Sequence, residues 1–168
     1  MRFSLLELGL FALAALLLVE ALLGRAPLGG LPHWSRPGAS PSAVLANWTV
    51  TPGVVNPDVT QATIAATICR RGWTRTIRPP VSYTNDLKRR GVRQYRLRGP
   101  PSRYQEDHLI SLELGGHPTD PRNLWPEPYP RAAVVDQTEN ELNAEVCSGK
   151  LSLVDAQRRE SLLKHTAG

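Results

Sequence analysis

The sequence predicts a small α+β domain, and three observations predict it. Two short segments of strand character, YQEDHLI and NLWPEP, are separated by a turn-rich loop, LELGGHPTDPRN. Helical patterns flank this pair: SYTNDLKRR precedes it, and Arg131–Val146 and LVDAQRRESLLKH follow it. A single cysteine pair, Cys69 and Cys147, is spaced to close one long loop.

The chain has 168 residues, enough for one domain plus extensions. Its 20 Lys and Arg against 15 Asp and Glu leave a mild positive excess, which suits an anionic partner without requiring one. Fifteen prolines, 13 glycines and only 6% aromatic residues imply a modest core with many turns.

The N-terminus is apolar and uninterrupted from Leu8 to Val19, between Glu7 and Glu20. Such a run is short for a membrane span and fits the apolar region of a signal peptide. Residues 1–24 are therefore read as a signal peptide or an N-terminal membrane anchor. The expected location is exported: extracellular, periplasmic, or anchored and facing outward. In an exported chain Cys69 and Cys147 are expected to form one disulfide. Closing a loop of about 80 residues is worth on the order of 4 kcal/mol in the chain-entropy account. Two cysteines exclude a four-cysteine zinc ribbon within one chain.

Residues 25–57 are rich in Pro, Gly, Ser and Ala and show no sustained period, which reads as a linker, with Trp34 and Trp48 as points of attachment. The compact domain is expected over 58–168. Asp58 or Thr60 would cap a short helix, TQATIAATIC, with Ile64 and Ile68 one turn apart. RGWTRTIRPP alternates and reads as extended chain. Ser82 is the expected N-cap of the next helix and Gly91 its stop. VRQYRLRGPPSR then reads as basic extended chain. In the Arg131–Val146 helix, Val135, Leu142 and Val146 share a face, with Gly149 beyond its end. Ser152 and Asp155 form a capping-box-like start for the last helix.

The chemistry concentrates in EDHLISLELGG. Asp107 offers a hard oxygen ligand, and His108 a base that titrates near neutrality. Neighbouring strand residues point to opposite faces, so both reach one site only at a strand end or bulge. Glu106 and His117 are read as bystanders. Gly115 and Gly116 permit the turn that returns the chain to Asn123, whose amide can tie the loop to the strand or hold the imidazole. From Lys88 to Arg103 the chain carries seven basic residues and no acid: Lys88, Arg89, Arg90, Arg93, Arg96, Arg98 and Arg103. That density suits a phosphate backbone.

These residues resemble the HNH endonuclease superfamily, whose core is two antiparallel strands and a helix around one metal ion. The resemblance is to small exported bacterial members. It rests on Gly72–Pro80, Tyr83–Asn85, Glu106–Ile110, Asn123–Pro128 and Val146–Gly149, and extends over Thr63–Gln157. It implies a ββα-metal core with extra helices and a phosphodiesterase acting on nucleic acid, DNA before RNA, as a monomer. Asp107 would be a metal ligand. His108 would be the general base, and Asn123 would constrain the loop and orient it. The ion would be one divalent cation, magnesium first, with manganese and zinc as alternatives.

The chain departs from that pattern where the helix should supply a histidine. Asp136, Asn140 and Glu139 stand there instead, with Asp136 the favoured ligand. Ser111 stands where a proline is expected, and Val135 where a basic residue is expected. Two expectations follow: an exported metal-dependent endonuclease, or an inactive relative binding nucleic acid or a cell-envelope polymer, tethered or free.

Overall fold

The computed structural model describes residues 44–129 and 131–167, and the expected leader and most of the expected linker lie outside them. The described fold is α+β. In chain order it comprises α1 (Trp73–Ile77), α2 (Val81–Gln94), β1 (Tyr104–His108), β2 (Leu124–Pro128), α3 (Arg131–Cys147) and α4 (Leu153–Thr166). The strands pair antiparallel, with Tyr104 opposite Pro128, Asp107 opposite Trp125 and His108 opposite Leu124. Among the described residues no helix is long and apolar enough to cross a membrane.

The loop between the strands is built from 3₁₀ turns at Leu112–Leu114 and Pro121–Asn123. Gly115 sits at φ 75°, and a Cβ on Gly116 would stand 1.7 Å from the Ile110 carbonyl oxygen. The double glycine therefore answers two demands, a left-handed residue followed by a close backbone approach.

α2 packs against both strands. It starts at Val81, directly after Pro80, and runs through Gly91 to Gln94 instead of stopping there. Gly91 is tolerated inside the helix because β2 presses on it: a Cβ there would lie 2.8 Å from Pro126 Cδ. The start of the expected basic extended segment is thus helical.

Two further elements differ from expectation. RGWTRTIRPP is not extended, because Gly72 at φ 83° turns the chain into α1, which ends at Arg78 before Pro79-Pro80. The expected helix after Thr60 is a set of turns around a 3₁₀ segment at Ile64–Ala66. There the Thr63 hydroxyl donates to the Asp58 carbonyl at 2.9 Å and the Thr67 hydroxyl to the Thr63 carbonyl at 2.7 Å. Side chains that bond local backbone in this way compete with helix formation.

The main core gathers Val59, Ile68, Ile110, Leu114, Leu142, Val146, Leu153 and Ala156, with Trp73 and Cys69 packed against it. Cys69 and Cys147 form the expected disulfide, joining the threonine-rich turns to the end of α3 with Cα atoms 5.5 Å apart. A second cluster holds Ala46, Leu109 and fully buried Trp125.

Ala46 belongs to the stretch expected to be linker. From there to Asn56 the chain is part of the packed body. Ala46 N donates to the Lys164 carbonyl at 3.1 Å, and Asn56 N to the Gly115 carbonyl at 2.8 Å. Val55 bridges Gly116, and the Thr51 hydroxyl meets Tyr95 Oη at 2.7 Å. The compact body thus begins before residue 58: prolines and glycines there shape an irregular strap whose backbone groups are satisfied by the loop it covers.

Candidate functional site

A cleft of about 260 Å³ opens where β1 ends, lined by residues including Arg78, Asp107, His108, Ser111, Asp136 and Glu139. Asp107 and His108 both line it although they are neighbours on β1, because the cleft opens at the end of the strand, where His108 is the last residue.

The imidazole of His108 is buried and its Nε2 lies 3.0 Å from the Pro118 carbonyl oxygen. A carbonyl only accepts, so Nε2 carries the proton. Nδ1 is then the lone-pair nitrogen, with no partner among the described residues. Burial lowers the imidazole's affinity for a second proton below the ordinary value, against the opposing pull of Pro118 and Asp107.

Asn123 is wholly buried and uses both ends of its amide on backbone. Its Oδ1 accepts from Ile110 N at 3.0 Å and Val54 N at 3.2 Å; its Nδ2 donates to the carbonyls of Ile110 at 3.0 Å and His117 at 3.1 Å. It clamps the loop and does not bond the imidazole. Its hold on His108 is indirect, through the His117-Pro118 backbone. His117 turns its Nδ1 inward on its own loop, accepting from Asp120 N at 3.0 Å.

α3 brings two carboxylates to Asp107. Asp136 and Glu139 are separated by three positions and face the cleft together. Asp107, Asp136 and Glu139 can each place an oxygen within 4.8 Å of the others. Burial and Asp107 raise the Asp136 carboxyl above the usual range, and burial pushes Glu139 up to about 9. Asn140 lines the same cleft, but its amide nitrogen donates to the Asp136 carbonyl at 2.7 Å. The Ser111 hydroxyl, also in the lining, is buried with no hydrogen-bond partner. A set of hard carboxylate oxygens beside an orphaned hydroxyl suits a small hard divalent cation.

Glu106 lies on β1 beside Asp107 but away from the cleft, and burial pushes its carboxyl up to about 8, with Lys88 opposing. The seven basic residues also lie elsewhere. Lys88 Nζ reaches the Tyr104 carbonyl at 3.3 Å and Arg89 pairs with Asp86, while Arg90, Arg93, Arg96, Arg98 and Arg103 are exposed; none lines the cleft.

Among the described residues Arg78, at the end of α1, is the one cation that lines the cleft, and it is exposed. Sequence reasoning gave it no role at the site, although it lies within Gly72–Pro80, one of the segments that carry the resemblance.

Lys164 and Glu160 were missed as well. Leu153, Ala156, Glu160 and Lys164 are all buried and spaced three, four and four residues apart on α4. Two charges continuing an apolar stripe were the available signal. Lys164 Nζ lies 2.8 Å from Asp107 Oδ2 and 2.6 Å from Glu139 Oε1. Glu160 accepts both bonds from Ser111 N, at 2.9 and 3.0 Å. Burial works against the lysine's charge, yet Asp107, Glu160 and Glu139 outweigh it and hold the ammonium charged well past the usual range. A second buried pair, Glu127 with Arg131, sits behind β2, where the guanidinium covers the Trp125 ring at 5.6 Å.

No protein-family model, curated protein or solved structure matches this chain.

Proposed function

We propose that this domain is a metal-dependent endonuclease of the HNH kind that hydrolyses phosphodiester bonds in DNA, with RNA as second substrate. One observation carries the reading: a neutral imidazole with a free Nδ1 shares a cleft with three convergent carboxylates and one guanidinium.

Each residue then has a role. His108 takes a proton from water at Nδ1. The Pro118 carbonyl keeps the tautomer that leaves Nδ1 open and stabilises the imidazolium that forms. Asp107, Asp136 and Glu139 would hold magnesium or manganese, with Asn140 at the rim. Bound there, such an ion supplies charge neutralisation at the phosphoryl and leaving oxygens. Arg78 meets the scissile phosphate from the opposite charge sign, in the forked geometry that guanidinium offers phosphate. The exposed arginines of α2 and the turn after it hold the nucleic-acid backbone at a distance from the reacting group. An exported monomer, released or held at a membrane by residues 1–24, fits this reading, and the Cys69–Cys147 disulfide is consistent with an oxidising compartment.

A second reading is favoured by one feature. Lys164 already neutralises Asp107 and Glu139, as in a purely structural ion cluster. The domain would then bind nucleic acid or an envelope polymer without cutting it.

Plasmid digestion by the oxidised protein separates the two, with magnesium, manganese, zinc or EDTA and with His108→Ala alongside. Cutting that needs metal and is lost in His108→Ala supports the nuclease. Absence of cutting with every metal, while DNA is still retained, supports the binding module.

A further inference from the structure

The acidic side of the cleft is assembled around one ammonium. Lys164 Nζ lies 2.8 Å from Asp107 Oδ2, 2.6 Å from Glu139 Oε1, 3.2 Å from Glu160 Oε1 and 2.5 Å from the His108 carbonyl oxygen. These groups come from the end of β1, from α3 and from α4 itself. The lysine is fully buried, so all three of its N–H donors are committed inside the protein. Without it, the acidic groups of Asp107, Glu139 and Glu160 would be crowded in the interior with neither a counter-charge nor its donors, an arrangement that proteins tolerate poorly.

The way the oxygens are divided is informative. Lys164 occupies Oδ2 of Asp107 and Oε1 of Glu139. The second oxygen of each carboxylate has no donor among the described residues, and with Asp136 these two residues make up the convergent trio. Glu160 stands behind the lysine, away from the cleft lining, and is itself fixed by Ser111 N. The lysine thus holds one oxygen of each carboxylate and leaves the other without a donor, on two residues that line the cleft.

We propose that Lys164 is a positioning residue acting as a resident counter-cation: it presets Asp107 and Glu139 as ligands before any divalent ion arrives. The inference rests on the metal-binding reading of the cleft. Its consequence is a site already assembled in the metal-free protein, unlike small metal domains whose folding waits for the ion.

The test is thermal unfolding of the full oxidised chain and of Lys164→Met, a neutral side chain of similar length, in EDTA and across a manganese titration. Binding of manganese to the unmodified protein is measured separately by calorimetry. The unmodified protein is expected to gain only a few degrees from saturating manganese. Lys164→Met is expected to lose about 10 °C in EDTA, from unpaired buried carboxylates, and to regain more than half of it with manganese. Should Lys164→Met not fold in EDTA, Glu160→Gln/Lys164→Met serves instead. It removes one carboxylate outside the trio and keeps a carbonyl for Ser111 N, and the enlarged response to manganese should persist. An unchanged melting temperature in EDTA, or equal manganese responses in the presence of measurable binding, overturns the role of Lys164 and leaves the metal reading intact. No binding heat and no thermal response in any variant overturns both.

Discussion

The amide nitrogen of Ser111 donates to both carboxylate oxygens of Glu160, at 2.9 and 3.0 Å, in the interior of the domain. Ser111 has φ −62°, a value that proline adopts without strain. Ser111→Pro therefore removes a donor without straining φ, and it also sets the ring Cδ against the Glu160 carboxylate that the N–H now bonds. A buried carboxylate stripped of a charge-assisted bond costs about 2–3 kcal/mol, and urea unfolding should show that loss.

Gly116→Ala should be among the most damaging single changes. The added Cβ would sit 1.7 Å from the Ile110 carbonyl oxygen and 2.8 Å from Asn123 Nδ2. The backbone must move, and the Asn123 clamp moves with it. We expect a loss of about 3 kcal/mol or more, read by urea unfolding, with any nuclease activity lost in the molecules that still fold.

Glu106 sets a pH dependence of stability. Its carboxyl is pushed up to about 8 by burial, against an ordinary value of 4.5. The folded protein thus favours the neutral acid, whereas the unfolded chain ionises it. Stability from this group is complete below pH 4.5, falls as pH rises, and levels off above about pH 8. Glu106→Gln should flatten that slope and raise stability at pH 8 by about 2 kcal/mol, since it removes a buried charge with an unpartnered oxygen. Melting temperatures between pH 5 and 9 check both statements.

His108 sets the acid limb of activity. Burial holds the imidazole below its ordinary value of 6.5, so the neutral base persists down to that point. With the divalent ion kept saturating at each pH, the kcat/KM profile should be flat from pH 8 to 7 and fall only below pH 6.5. A fall beginning above that value would assign the base elsewhere.

Arg78 should act on the reaction more than on the fold. It is exposed and lies at the end of a short helix, so Arg78→Ala should leave the melting temperature within a degree or two. Loss of a phosphate-binding guanidinium is expected to lower kcat/KM by about 100-fold and to reduce the salt slope of DNA binding by about one. Lysine at the same position should recover part of the affinity and little of kcat.

What was legible in the sequence had strong local or covalent causes. The strand pair announced itself through a glycine turn between two apolar runs, and the last helix through the Ser152 hydroxyl, which accepts from Asp155 N at 3.1 Å. The cysteine pair left one pairing. The site was legible on its strand and loop side, where Asp107, His108 and Asn123 follow from one short segment. It was less so on the helix side, since several carboxylates on α3 fit the spacing and only tertiary packing turns Asp136 and Glu139 inward. Lys164 was illegible for a different reason. Charges on a terminal helix ordinarily reach solvent, and this one is buried only because three carboxylates from distant parts of the chain meet it. The strap before residue 58 was misread because its order comes from backbone bonds to the glycine loop, which composition does not reveal.

The prolines of β2 have a consequence beyond the site. Pro126 and Pro128 lie two residues apart, so both nitrogens fall on the same edge of the strand. Leu124, the third residue on that edge, gives its N–H to the Pro121 carbonyl. The inward bonds are made by their neighbours, as in Tyr129 N to the Arg103 carbonyl at 3.0 Å. The outer margin of this strand therefore offers acceptors and no donors. A foreign strand seeking to extend the sheet from that side would find no ladder to continue, a built-in guard against edge-to-edge aggregation.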